Sequence, residues 1–294
     1  MQIGAVFAAL AYTLWGLFPL FFKRLAAVGP LEVVMHRTVW SLVFVVLVLL
    51  VLRRWAWLRA VLKTPKVVGI FALSATLLAS NWLVYIWAVN NDHVLDASLG
   101  YFILPLMNVA LGYVFLHERP RAGQWMAFAV ACAGVLWLSW QGGRVPWVAL
   151  TLAITFALYG LLRKVAPLGA LEGLTLETLV LAPAALVAMG WMAWHGQGAL
   201  VAQDHTSLAW LMLSGPVTAL PLLLFAAGAR RIPLSMMGVL QYISPSILVL
   251  LGVWLYDEPF AGPRVMGFVL IWIALALYTA EGWRHARRAP SLRP

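Results

Sequence analysis

His36 and Arg37 stand side by side in a stretch, 31–52, that is otherwise almost wholly apolar. An imidazole can pass a proton near neutral pH, and a guanidinium can grip an anion with a planar fork of donors. Glu32 precedes His36 by four residues, so on a helix the two share a face and can pair; a carboxylate in a first helical turn also suits the helix dipole. Arg37 has two readings. It is either a cation facing an internal cavity, or a side chain about 9 Å along its helix that snorkels to the nearer surface. A second constellation is Asn81, Trp82 and Tyr85, with Asn81 and Tyr85 one turn apart. Amides and phenols so placed either contact a solute or tie helices together. A third is Ser98, Tyr101, Pro105 and Asn108, which form one stripe of a helix, preceded by Asp96. Asp96 either caps that helix or titrates at a cavity mouth. Gln241 and Tyr242, shortly before Pro245, are a fourth. Trp15, in the spacing Tyr12, Trp15, Pro19, and Trp82 are candidates to stack on an aromatic or cationic solute.

The surroundings give these groups their weight. Of the 294 residues, 64% are hydrophobic and 10% charged. A soluble domain carries about 25% charged residues, so lipid is the solvent this chain is built for. Runs long enough to cross about 30 Å of hydrocarbon are read at 3–22, 31–52, 67–89, 94–116, 121–140, 145–162, 171–194, 208–229, 233–256 and 262–282. Polar groups at such depth cost several kcal/mol when unpaired, by order of magnitude, so each is a candidate for function.

The net charge of +10 does not indicate nucleic acid, because the basic residues sit in short clusters between apolar runs. Alternate loops and the tail carry 15 of the Lys and Arg, the opposite loops carry 4, and Arg37 lies inside a span. By the positive-inside rule both termini face the cytoplasm. The lone Cys132 excludes an intramolecular disulfide and reads as a small packing residue. No cleavable signal peptide is expected at the N-terminus. Metal and phosphate motifs such as HExxH, CxxC and the P-loop are absent from the sequence, and no cofactor or metal is expected. His117-Glu118 and Asp257-Glu258 read as loop charges at helix ends.

Sliding the chain by 140 residues aligns Leu31-Glu32 with Leu171-Glu172, Pro105 with Pro245, Gly112 with Gly252 and Glu118 with Glu258. Five spans per half force the second half to enter from the opposite side. The expected fold is therefore all-α and integral to the membrane: ten transmembrane helices in two inverted five-helix repeats, 1–140 and 144–284, with a basic cytoplasmic tail at 285–294. Pro105 and Pro245 are expected to kink corresponding helices and act as hinges. Inverted repeats with paired interrupted helices are a device of secondary transporters, which bind near the midplane.

Several motifs together resemble the drug/metabolite transporter superfamily, EamA family, and its RarD-like branch. They are Tyr12-Thr13-Leu14-Trp15-Gly16, His36-Arg37 with Trp40-Ser41, Asn81-Trp82 with Tyr85-Ile86-Trp87-Ala88-Val89-Asn90, and His93-Val94 leading through Asp96-Ala97-Ser98-Leu99-Gly100-Tyr101-Phe102-Ile103 to Pro105-Leu106. The resemblance covers nearly the whole chain. It implies a ten-helix carrier of the bacterial inner membrane with a central cavity, exporting amino acids, metabolites or drugs. Two positions depart from the pattern: Asp96 stands where Glu is common, and Leu104 where Asn is common. The resulting expectation is an alternating-access carrier for a small aromatic or amphipathic solute. Arg37, Asn81, Tyr85, Ser98, Tyr101 and Asn108 would line its cavity, Trp15 would pack on the solute, and His36 and Asp96 would carry any coupled proton. Membrane-embedded lipid enzymes and non-transporting membrane subunits are the alternatives, and the oligomeric state is left open.

Overall fold

The computed structural model describes residues 2–25, 27–53, 55–90, 94–141, 147–202, 205–255 and 262–288. Every regular element among them is helical. Hydrocarbon offers the backbone no hydrogen-bond partner, and a helix satisfies its N–H and C=O groups internally. The helices are α1 (Gln2–Gly16), α2 (Phe18–Phe22), α3 (Pro30–Leu52), α4 (Ala56–Leu62), α5 (Pro65–Asn90), α6 (Val94–Leu116) and α7 (Ala122–Gln141). They continue with α8 (Trp147–Val165), α9 (Ala170–Trp194), α10 (Ala199–Ala202), α11 (His205–Ala229), α12 (Leu234–Leu240), α13 (Ile243–Leu255) and α14 (Pro263–Arg288). Eight helical stretches are long and apolar enough to cross a membrane, and Leu234–Leu248 and Val265–Tyr278 are shorter apolar helices.

Local sequence sets the boundaries. Pro30 opens α3 behind Gly29, at the first turn where a missing N–H costs nothing. Arg53 closes α3 in the left-handed conformation at φ 52°, and His117 follows α6 at φ 55°. The two expected hinges behave differently. Helix α6 runs unbroken through Pro105. Around Pro245 the chain is cut into α12 and α13, with a turn at Gln241-Tyr242. Pro245 cannot donate to the Gln241 carbonyl, which accepts instead from the Ser244 N–H at 3.1 Å. The expected span 233–256 is thus an interrupted helix, with Pro245 in the first turn of its second piece.

The helices close into a ring. Following the packed pairs round it gives α6, α8, α5, α9, α3, α11, α1, then α12 and α13, and so back to α6. Helices from before residue 141 alternate with helices from after residue 147 all the way round. The remaining long pair, α7 and α14, pack on each other and reach the ring through α6 and through Trp272, whose indole donates to Ser246 of α13 at 3.0 Å. Small residues permit close crossings: a Cβ on Gly215 of α11 would run into the backbone of Trp40 on α3, and the Ser41 hydroxyl donates to the Gly215 carbonyl at 3.1 Å.

One end of the ring gathers the basic segments. There Arg231 lies over Phe7 at 5.6 Å, Arg121 pairs with Glu281 at 3.1 Å, and Arg230 donates to the Ala166 carbonyl at 2.7 Å. The opposite end joins Glu32 to the N–H of Ala199 at 2.6 Å and Trp87 to Trp147 at 5.3 Å.

Candidate functional site

Arg37 does not snorkel. Its residue is 4% exposed, and its guanidinium carbon sits 3.7 Å from the centre of the Trp82 ring, with Phe22 at 5.2 Å. Two features put it there: Arg37 lies on the inward side of α3 with Val33, His36 and Ser41, packed toward α9 and α11 while Val43, Leu47 and Leu50 face outward, and the neighbouring α5 offers an indole as a flat platform. Indole is the strongest aromatic partner for a cation, and Arg stacks on it more readily than Lys. Tyr85 and Tyr101 are the electrostatic neighbours of the guanidinium, their rings 5.8 Å apart edge to face. Among the described residues no carboxylate pairs with Arg37, and its Nε is buried without a partner. Arg37, Trp82, Tyr85 and Tyr101 therefore form one cluster from α3, α5 and α6.

The other expected residues fall into separate groups. His36 is buried on the far side of the Arg37 turn, where the Trp40 indole donates to Nδ1 at 3.3 Å. Since indole can only donate, the ring proton lies on Nε2, which faces Glu32 Oε1 at 3.8 Å. Glu32 in turn accepts from Ala199, so the carboxylate ties α3 to the chain before α11. These residues border a cavity of about 200 Å³ with Met189, Met192 and Gln197. Asn81 does not join the cluster: its Nδ2 donates to the Leu152 carbonyl and to Thr155 Oγ1 of α8, each at 2.9 Å. Asn108 donates to Gln241 Oε1 at 3.1 Å, bridging α6 to the turn after α12. Both amides therefore act as ties between helices. Tyr242 is buried with its hydroxyl unpartnered and borders, with Pro105, a mainly apolar cavity of about 410 Å³ between α6, α7, α12 and α14. Asp96 and Ser98 fall in the first turns of α6, and their side chains lie outside the described residues.

Trp15 packs into an aromatic cluster that fills the ring. It meets Tyr12, Phe156 and Phe225 at centroid distances of 5.6, 5.4 and 5.5 Å. Tyr159 stacks on Phe225 at 5.9 Å, joining α8 to α11 across the ring.

Beyond this cluster, toward the basic end, lies a buried ion pair. Arg163 and Glu177 are each 1% exposed and pair at 3.7 Å. Arg163 Nη2 also donates to the Ala170 carbonyl at 3.0 Å, its guanidinium lies 5.4 Å from Phe71, and Ser74 of α5 donates to Glu177 Oε1. In the sequence Arg163 reads as a loop charge because it adjoins Lys164 at a span end. The expected span 145–162 stops one residue short of it, whereas α8 runs on to Val165 and carries Arg163 in its last turn. Glu118, also read as a loop charge, spans α6 and α12: Oε1 accepts from the Leu234 N–H at 2.7 Å, and Oε2 from the Ser235 N–H and hydroxyl at 3.0 and 2.9 Å. Among the described residues no group of three or more His, Cys, Asp or Glu converges to hold a metal.

The geometry can hold a flat or anionic group against a buried cation. Residues 2–140 match the family described as EamA-like transporter. An uncharacterized transporter of Pseudomonas aeruginosa is 44% identical over 293 residues, covering 99% of this chain and 97% of that protein. The protein RarD of Streptomyces exfoliatus is 44% identical, covering 98% of this chain and 91% of that one. A solved crystal structure superposes with a TM-score of 0.71 at 19% identity, covering 97% of this chain and 99% of the other; at that identity the likeness concerns the fold alone.

Proposed function

The chain belongs to the EamA-like transporter family, in its RarD-like branch, and from that premise we propose that it is a secondary transporter moving a small metabolite or drug-like solute across the bacterial inner membrane by alternating access, as an exporter. The observation that carries the reading is Arg37: a buried guanidinium laid on Trp82 beside two phenols, inside a ring of membrane helices. A desolvated cation with an aromatic face exposed to it suits a planar solute bearing an anionic or strongly electronegative group.

Two inverted repeats, 1–140 and 144–284, are supported by the alternation of early and late helices round the ring and by the short helices α4 and α10, which fall at matching places under the 140-residue shift. Ten crossings follow if Leu234–Leu248 and Val265–Tyr278 are completed by their flanking helical residues. The positive-inside rule assigns the basic end, with both termini, to the cytoplasm. Trp15 would pack on the solute from the aromatic cluster, and His36 with Asp96 would carry a coupled proton.

The test is solute counterflow in liposomes reconstituted with the purified protein, using labelled aromatic amino acids, other amino acids and chloramphenicol, with and without a pH gradient. Arg37→Ala is expected to abolish exchange while the protein elutes and melts as the wild type does. Full exchange in that variant would remove Arg37 from the site.

A further inference from the structure

Helices α8 and α11 stand opposite each other in the ring, yet they meet at the basic end. Aromatic and charged contacts make the closure, with Phe156 also meeting Phe225 at 5.4 Å. Tyr159 stacks on Phe225. The Lys164 ammonium donates to the carbonyls of Ile232 at 2.6 Å and Ala229 at 3.2 Å, just where α11 ends. Arg230 donates to the Ala166 and Leu168 carbonyls at 2.7 and 2.5 Å, just where α8 ends. Glu118 sits between them, 4.0 Å from the Lys164 ammonium, and holds the first N–H groups of α12. A cation on the carbonyls ending α11 and an anion on the amides opening α12 are each placed where the helix dipoles favour them. Under the 140-residue repeat the counterparts of α8 and α11 are α1 and α5, and these two make no comparable contact among the described residues.

An inverted repeat in which one cross-ring pair is closed and its counterpart is apart has an obvious second state: the same ring with the two pairs exchanged. We propose that Glu118, Lys164 and Arg230 are the gate residues of this end, holding α8 against α11, and that opening the basic end requires their release as α1 closes on α5. The proposal rests on the alternating-access reading and adds to it the latch. Each of the three is a long charged side chain only partly shielded: Lys164 and Glu118 side chains are 20% and 16% exposed. Water can therefore take over their contacts when the end opens, which a fully buried pair could not allow so readily.

The test uses the full chain in lipid nanodiscs with the lone Cys132 replaced by alanine. Spin labels on Val165 and Arg231, both exposed at the basic end, report the α8–α11 distance; labels on Leu20 and Leu83, exposed near the other end, report the opposing one. In the otherwise wild-type protein the basic-end distance is expected to be short and narrow. Glu118→Gln removes a charge from three hydrogen bonds and is expected to shift the closed-to-open ratio about tenfold toward open. The signature is reciprocal: the basic-end distance lengthens while the far-end distance shortens. Lys164→Gln is expected to do the same, and serves if the first variant fails to fold. A folded variant with both distances unchanged overturns the assignment. So does a longer basic-end distance with an unchanged far-end distance, which is the mark of a frayed loop. Counterflow by the wild-type protein is scored separately. Counterflow with no distance change therefore removes the gate and keeps the transporter, and reciprocal distances without counterflow keep the gate and remove the labelled solutes as its substrates.

Discussion

Replacing Glu177 with leucine should destabilise the protein more than removing the whole ion pair does. Glu177 and Arg163 are each 1% exposed, so the discount for solvent screening that applies to surface pairs does not apply here. Deleting one partner of a buried pair costs about 3–5 kcal/mol, because the other charge is left uncompensated. Arg163 keeps a carbonyl acceptor at Ala170, 3.0 Å from Nη2, which offsets part of that loss. The stranded Ser74 hydroxyl adds to it, since its acceptor is Glu177. The Tyr159 hydroxyl, which also hydrogen-bonds Glu177, is stranded with it, and the expected cost is therefore about 4 kcal/mol, within that range. In Arg163→Met with Glu177→Leu both charges are gone and side chains of similar length fill the space. The double variant is expected to recover most of the loss, because buried pairs are often matched by well-packed apolar residues. Thermal unfolding in detergent, followed by intrinsic tryptophan fluorescence, measures both. A double variant as unstable as Glu177→Leu, or a single variant as stable as the wild type, would refute the reasoning.

Gly215→Ala should cost about 3 kcal/mol, at the upper end for an overpacked site, because the new methyl meets the backbone of Trp40 and not a flexible side-chain tip. The same melting assay with Gly190→Ala, where nothing lies within 4 Å of the added carbon, should show no loss. Asn108→Leu leaves Gln241 Oε1 without its 3.1 Å donor in a buried setting and should cost about 1–3 kcal/mol, with Asn108→Leu plus Gln241→Leu milder than the single change; unfolding temperatures in that order support the tie, and the reverse order removes it.

What the sequence makes legible is what one helix contains. Glu32 and His36 face each other because four residues make about one turn, and the structure holds them 3.8 Å apart. The apolar runs are equally local, and eight of the expected spans appear as long helices. Partners on other helices are not local. Asn81, Tyr85, Tyr101 and Asn108 look alike as polar groups at depth, yet Tyr85 and Tyr101 stand near Arg37 while Asn81 and Asn108 are consumed by ties to Thr155 and Gln241. That sorting depends on which helices become neighbours. Arg163 is the clearest case: beside Lys164 at a span end it has the pattern of a loop cation, and only the fold brings Glu177 against it. Pro105 and Pro245 look equivalent for the opposite reason. Their difference lies in whether the helix before them is already interrupted, which the Gln241-Tyr242 turn decides.

The alternating ring bears on biosynthesis. Nearly every broad helix contact joins a segment made early to one made late. Helices α1 to α7 therefore enter the bilayer with their packing faces turned to lipid, and they have little to fold against until α8 emerges. At about 5–20 residues per second, the wait from α1 to the start of α8 is of the order of ten seconds. During that interval Arg37 sits in a helix whose flanking partners α9 and α11 do not yet exist. The newborn first half is the stage at which an insertase or a membrane protease would act on this chain, and co-expressed halves cut within 142–146 should assemble where either half alone is degraded.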